Sequence, residues 1–170
     1  MCSSDLGFDM ASLFAIFRDG LLTCPRAAVI RDLVKSDIYC EQIYSDTCSI
    51  IACAVMFQII PANAVGESGV YQSIVELVVT SCNSFKFQME LLYLTCGIIL
   101  EMPSSHLPDF VTESVVDLFD VVCTQIDERD HVDLRDKVKE VVAKLLSELP
   151  EDNTVRPLVM QFVESNEDLF

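Results

Sequence analysis

A chain of 170 residues with 51% hydrophobic content is long enough for one domain with a real core, which excludes intrinsic disorder. Eleven Lys and Arg stand against 27 Asp and Glu, a formal charge of −16 with a pI near 4.2. That sign opposes direct grip on nucleic-acid phosphates or on anionic membrane surfaces.

Apolar residues recur at three- and four-residue spacing rather than alternating, so the whole chain reads as helical. Residues 6–18 and 25–35 form two short helices, the second opened by Pro25, where a missing backbone N–H costs nothing. These first 36 residues are expected to cap the domain. A long apolar helix follows over 37–60, then helices over 68–82 and from 83 or 84 to 102, with Pro61 and Pro103 ending the outer two. Helices over 109–126, 131–149 and from 153 or 154 to about 164 complete the order, with Asp109 and Asn153 as N-caps. Short connections make consecutive helices antiparallel neighbours. Residues 37–166 then form the main domain and 167–170 an acidic tail, the terminal Asp168-Leu169-Phe170 reading as a frayed end. The same triplet at Asp117-Leu118-Phe119 is expected in the core.

Pro61, Pro103 and Pro150 lie 42 and 47 residues apart, and the residues before them repeat in register. Seven before each proline stands Ala54, Cys96 or Ala143; five before, Met56, Ile98 or Leu145; four before, Phe57, Ile99 or Leu146. A small side chain lets the neighbouring backbone approach, and the large pair fills the groove beside it. Ten and eleven before, Ile51 and Ile50 give way to Tyr93 and Leu92 and then to Glu140 and Lys139, so the third helix turns polar as the end of a stack should. An amphipathic segment follows each proline, with Val70, Ile74, Leu77 and Val78, then Val111, Val115, Leu118, Phe119 and Val122, then Val155, Leu158, Val159, Phe162 and Val163 on its apolar face. Each unit is a helical hairpin of about 40 to 47 residues.

The stretch 130–149, with Asp133 at the turn, Arg135 just inside and Val138, Val142, Leu145 and Leu146 on one face, resembles the second helix of a HEAT or armadillo-type repeat. The other units share its period and its small-large-large pattern but lack the Asp and Arg; Lys86 and Gln88 stand there in the middle unit. The resemblance covers about residues 37–166. It implies an all-α, right-handed stack of three to four helical hairpins that acts as a non-enzymatic binding scaffold or complex subunit. There is no Trp and no repeated Asn at a fixed register, so the ladders with which some armadillo proteins hold extended peptides are not evident. The alternative architecture is a compact Bcl-2-like bundle around a central helix, holding a partner's helix in a groove; the apolar helix over 48–60 suits it, and the repeat register opposes it.

Between residues 36 and 128 the only basic residue is Lys86, against thirteen acids. Along a stack, such carboxylates either keep an apolar chain soluble or line an acidic face that steers a basic segment of another protein. Glu76, Glu90, Glu113, Asp117, Asp120 and Asp127 are the candidate partner-binding acids. Phe14 and Phe17 join them because the first helix carries more apolar residues than one stripe needs. The 48–60 helix is apolar nearly all round and should be buried all round, or open on a groove that takes a partner's amphipathic helix.

The eight cysteines include no CxxC pair, and Cys48, Cys53, Cys96 and Cys123 sit among aliphatic residues as small buried hydrophobes. No signal-like start, N-x-Ser/Thr acceptor or run long enough for a membrane helix occurs, so a cytoplasmic or nuclear location is expected. His106 and His131 lack neighbouring ligands for a metal, five scattered glycines make no phosphate loop, and no cofactor is expected. A thiol-dependent enzyme remains a second alternative; it needs Cys96 or Cys123 activated beside a histidine.

Overall fold

The computed structural model describes residues 41–126 and 131–170, and these carry eight α-helices and two single 3-10 turns, with no strand among them. The helices are α1 (Glu41–Met56), α2 (Ala62–Ser68), α3 (Val70–Ser81), α4 (Phe85–Glu101), α5 (Leu107–Phe110), α6 (Glu113–Cys123), α7 (Val132–Glu148) and α8 (Arg156–Ser165). The expected helices over 6–18 and 25–35 lie outside the described residues, as does the start of the 37–60 helix.

Helices α3, α4, α6 and α7 fall where apolar periodicity puts them. Ser84 opens α4 by accepting the Phe87 amide at 3.4 Å, a side-chain cap of the usual kind. Three expectations are corrected. The helix over 37–60 does not run to Pro61: α1 stops at Met56, Gln58 turns left-handed at φ 56°, and the Ile59 and Ile60 amides fold back onto the Ala54 carbonyl. Pro61 instead opens α2, a helix missed in the sequence, which Gly69 joins to α3 in a left-handed conformation (φ 67°) that glycine adopts without strain. Asp109 lies inside α5 rather than capping α6, which Thr112 precedes. Asn153, three residues ahead of Arg156, accepts the Val155 amide at 2.8 Å, so it caps the turn and not the helix.

Packing sorts the longer helices into two rows. In the first, α4 packs on both α1 and α7; in the second, α6 packs on both α3 and α8. Within the first row neighbours run parallel. Ser45 meets Glu90 near the start of α1 and α4, and Met56 meets Gly97 near their ends. Lys137 stands over Tyr93, and further along Lys144 reaches the Leu100 and Met102 carbonyls. The side-chain hydrogen bonds along this row link residues 42 to 45 positions apart. Between rows, consecutive helices are antiparallel: Tyr71 of α3 bonds Thr95 of α4, while Gln88 near the start of α4 bonds the Cys82 carbonyl just past the end of α3.

The core lies between the rows. Leu91, Leu92, Ile98 and Ile99 of α4 are fully buried, as are Ile74 and Val78 of α3, Val115, Leu118, Phe119 and Val122 of α6, and Val138 and Leu145 of α7. The inner Asp117-Leu118-Phe119 triplet therefore sits as expected, and Phe119 stacks on Phe162 at 5.8 Å. Tyr71 and Thr95 pair their buried hydroxyls; the Thr95 hydroxyl donates to the Leu91 carbonyl (2.7 Å) and so accepts from Tyr71 (3.1 Å).

The small-large-large register holds in part. In α4 all three positions are buried, and a Cβ on Gly97 would lie 3.0 Å from the Met56 sulfur, so α1 and α4 meet at a residue with no side chain. In α7 the small position, Ala143, faces solvent. After α1 Phe57 is 76% exposed, because that helix ends one residue earlier. The acidic tail is folded, not frayed: Glu167–Leu169 forms a 3-10 turn, Leu169 is buried, Phe170 packs edge-on against Phe162 at 5.9 Å, and Arg135 donates to the Asp168 carbonyl at 3.1 Å.

Candidate functional site

A concavity of about 680 Å³ opens between the first turns of α4 and α7. Lys86, Met89, Glu90 and Tyr93 line it from α4; their spacing of three and four places them on one helix face. On the other side α7 starts at Val132, behind His131, which takes a left-handed conformation (φ 57°) and lets its carbonyl accept the Leu134 and Arg135 amides. His131, Val132, Asp133 and Leu134 thereby reach the same cavity. Tyr93 is 41% and Val132 55% exposed. The Lys137 ammonium lies 4.2 Å above the Tyr93 ring, and Ser45 donates to the Glu90 carboxylate at 3.5 Å. The cavity's apolar residues Met89, Tyr93, Val132 and Leu134 are flanked by one carboxylate from each helix, Glu90 and Asp133, and on the α4 side by the Lys86 ammonium.

Of the residues expected to bind a partner, Glu76, Glu90, Glu113, Asp117 and Asp120 are all exposed, and Asp127, Phe14 and Phe17 lie outside the described residues. Glu113, Asp117 and Asp120 come together as one stripe of α6, with Glu76 exposed on the adjoining α3. Partial burial raises the Asp117 carboxyl above its ordinary value, and the charges of Glu113 and then Asp120 raise it further. Asp117 and Asp120 also border a small cleft of about 220 Å³ with Leu158 and Gln161 of α8. Glu90 is the exception: it belongs to α4 in the other row and faces the large cavity. The acids therefore do not form one continuous surface, because the proline-ended helices and the helices after them face opposite ways.

Among the described residues Cys48 and Cys96 are buried as the sequence implies, whereas Cys53 is exposed and Cys123 half-buried. Burial pushes the Cys48 and Cys96 thiols well up, helped at Cys48 by Glu90 and at Cys96 by Cys123. Cys123 is pushed up to about 12 by its burial, against the pull of Arg135. That direction is the reverse of thiolate activation. Among the described residues no group of three or more His, Cys, Asp and Glu converges on a metal position, and no helix is long and apolar enough to cross a membrane.

Tyr93, Val132 and Lys137 were not singled out as site residues from the sequence. They come from two helices whose neighbourhood no local pattern announces, and it is the contact of Lys137 with the Tyr93 ring that brings them together. Compared with known protein families, with curated proteins and with solved structures, the chain matches none.

Proposed function

We propose that this chain is an armadillo/HEAT-type helical stack serving as a non-enzymatic protein-protein interaction scaffold in the cytoplasm or nucleus, and that it holds a basic segment of its partner. Parallel helices repeating at 42 to 45 residues support a stack over a bundle around one central helix. One observation carries the functional reading: the exposed charges of α3 and α6 are Glu76, Glu113, Asp117 and Asp120, with no base on either helix. A surface of one sign attracts an oppositely charged segment from a distance and loses that attraction in salt.

The test is titration with a Lys/Arg-rich peptide by calorimetry. Binding is expected to weaken by about tenfold or more between low and 0.5 M salt, and to be lost in the combined E113Q, D117N and D120N variant while E90Q keeps it. Equal affinity in the triple variant overturns the acidic-face reading.

The cavity between α4 and α7 favours a second mode, in which an amphipathic helix of the partner seats an apolar side chain against Tyr93 and Val132. Its mark is a complex that survives high salt and is lost on Tyr93→Ser.

A further inference from the structure

Residues 167–170 fold over the joint where the end of α6, the first turn of α7 and the end of α8 meet. Their backbone amides bond locally, Leu169 to the Asn166 carbonyl at 2.9 Å and Phe170 to the Glu167 carbonyl at 3.1 Å. They are held to the helices by the buried Leu169 side chain, by the Phe170 ring edge-on to Phe162, and by Arg135, which donates to the Asp168 carbonyl. Each of these contacts can be made by another segment: a branched apolar side chain, an aromatic ring, and a backbone carbonyl, which every peptide offers. The fit is loose. Phe170 stays 45% exposed, and a cleft of about 180 Å³ opens beside Leu169 among Cys123, Ile126, Arg135 and Ser165.

Charge works against the segment as well. Glu167 and Asp168 are exposed close to the exposed Glu164, on a chain whose formal charge is −16, so the segment adds like charge to like. The groove is also continuous with the acidic face. Ser165 lines both its cleft and the one bordered by Asp117 and Asp120, and Phe162, against which Phe170 packs, lines the second. A peptide lying along the acids of α6 therefore leads into the place that Leu169 and Phe170 occupy.

We propose that residues 167–170 are an internal placeholder, and that the groove beneath them takes a Leu-aromatic pair carried by the partner's basic segment. The inference rests on the acidic-face reading and adds to it the partner's chemistry: Lys and Arg facing Asp117 and Asp120, with a leucine and an aromatic ring next to them. The exchange replaces repulsion between acids by attraction to the partner's bases, while Arg135 finds a carbonyl in either case. A groove filled about nine-tenths of the time by its own segment lowers the partner's apparent affinity roughly tenfold. The placeholder thus reserves the surface for segments that carry both features.

Two peptides titrated into the full chain at low salt test this: a Lys/Arg-rich peptide, and the same peptide extended by Leu-Phe. The extended peptide is expected to bind the L169S/F170S variant at least about tenfold more tightly than the parent, with unchanged circular dichroism confirming that the variant is folded. The plain peptide is expected to bind both proteins alike. On the parent itself, the extended peptide with a benzophenone side chain in place of its Phe is expected to cross-link to α8 at or beside Phe162. Equal affinity of the extended peptide for the two proteins, or cross-links confined to other helices, overturns the placeholder and leaves the acidic face standing. Failure of the plain peptide to bind either protein overturns the acidic face and this inference with it.

Discussion

The two helix rows share one core and differ in almost everything they show to solvent. Every described Lys and Arg except Arg156 belongs to the first row, on α4 and α7, and both ion pairs among the described residues lie within α7, Lys139 with Asp136 and Lys144 with Glu148. Ile50, Tyr93 and Val132 on α1, α4 and α7, with Phe57 just past the end of α1, leave apolar surface open on that side. On the second row, the exposed charges of α3 and α6 are all carboxylates, Met160 of α8 is 49% exposed, and the one base of α8, Arg156, is turned inward to the Leu149 carbonyl at 2.7 Å. In the first row α7 is thus joined to α4 by cations acting on a neighbouring ring and on backbone carbonyls. The second is joined by aromatic and aliphatic packing alone, which leaves its charges unbalanced at the surface.

This difference sets the order of expected effects. Phe119→Ala cuts the packing that holds α6 to α8; Phe119 is fully buried against Phe162, and the loss is expected at about 3 to 5 kcal/mol by urea denaturation. Lys144→Met tests the first row. The Lys144 ammonium donates to the Leu100 carbonyl at 2.9 Å and the Met102 carbonyl at 2.8 Å, at the C-terminal end of α4, where a cation also meets the negative end of the helix dipole. Methionine keeps the stem and removes the charge, at an expected cost of about 1 to 2 kcal/mol in the same assay. A smaller loss for Phe119→Ala than for Lys144→Met would mean that the rows are not held in these two different ways.

What the sequence made legible follows from which signals are local. Apolar periodicity located α3, α4, α6 and α7 because each keeps one continuous buried face. The stop of α1 was not legible: Gln58 takes a left-handed conformation that its residue type does not announce, so the proline three residues later marked the wrong end. The acids on α6 were legible as charge density, but not the separation of Glu90 from them, which depends on which row a helix joins. The cavity was hidden for a similar reason, since Tyr93 and Val132 come from two units and read separately as core and as a helix start. The folded tail was hidden because the residues that hold it, among them Arg135, thirty-three residues before Asp168, lie in other helices.

The smallest effect probes the charge imbalance of the second row most directly. Asp117 has its carboxyl raised by partial burial and by Glu113 and Asp120, so its ionised form is less at ease in the folded protein than in the unfolded chain. A raised carboxyl contributes stability that is fully present below the unfolded value and is lost as the pH climbs through the folded one. Between mildly acidic and neutral pH, Asp117 therefore works against folding, though solvent screens most of the effect at so exposed a position. Asp117→Asn keeps the shape, removes the charge and is expected to stabilise the protein at pH 7 by less than about 0.5 kcal/mol, with the difference from the parent vanishing towards pH 3. A gain that is the same at both pH values would trace to helix propensity or packing and would show that the stripe on α6 carries no mutual repulsion. A gain confined to neutral pH and reduced by salt would mark the stripe as a surface held at an electrostatic cost, which a basic partner segment would relieve.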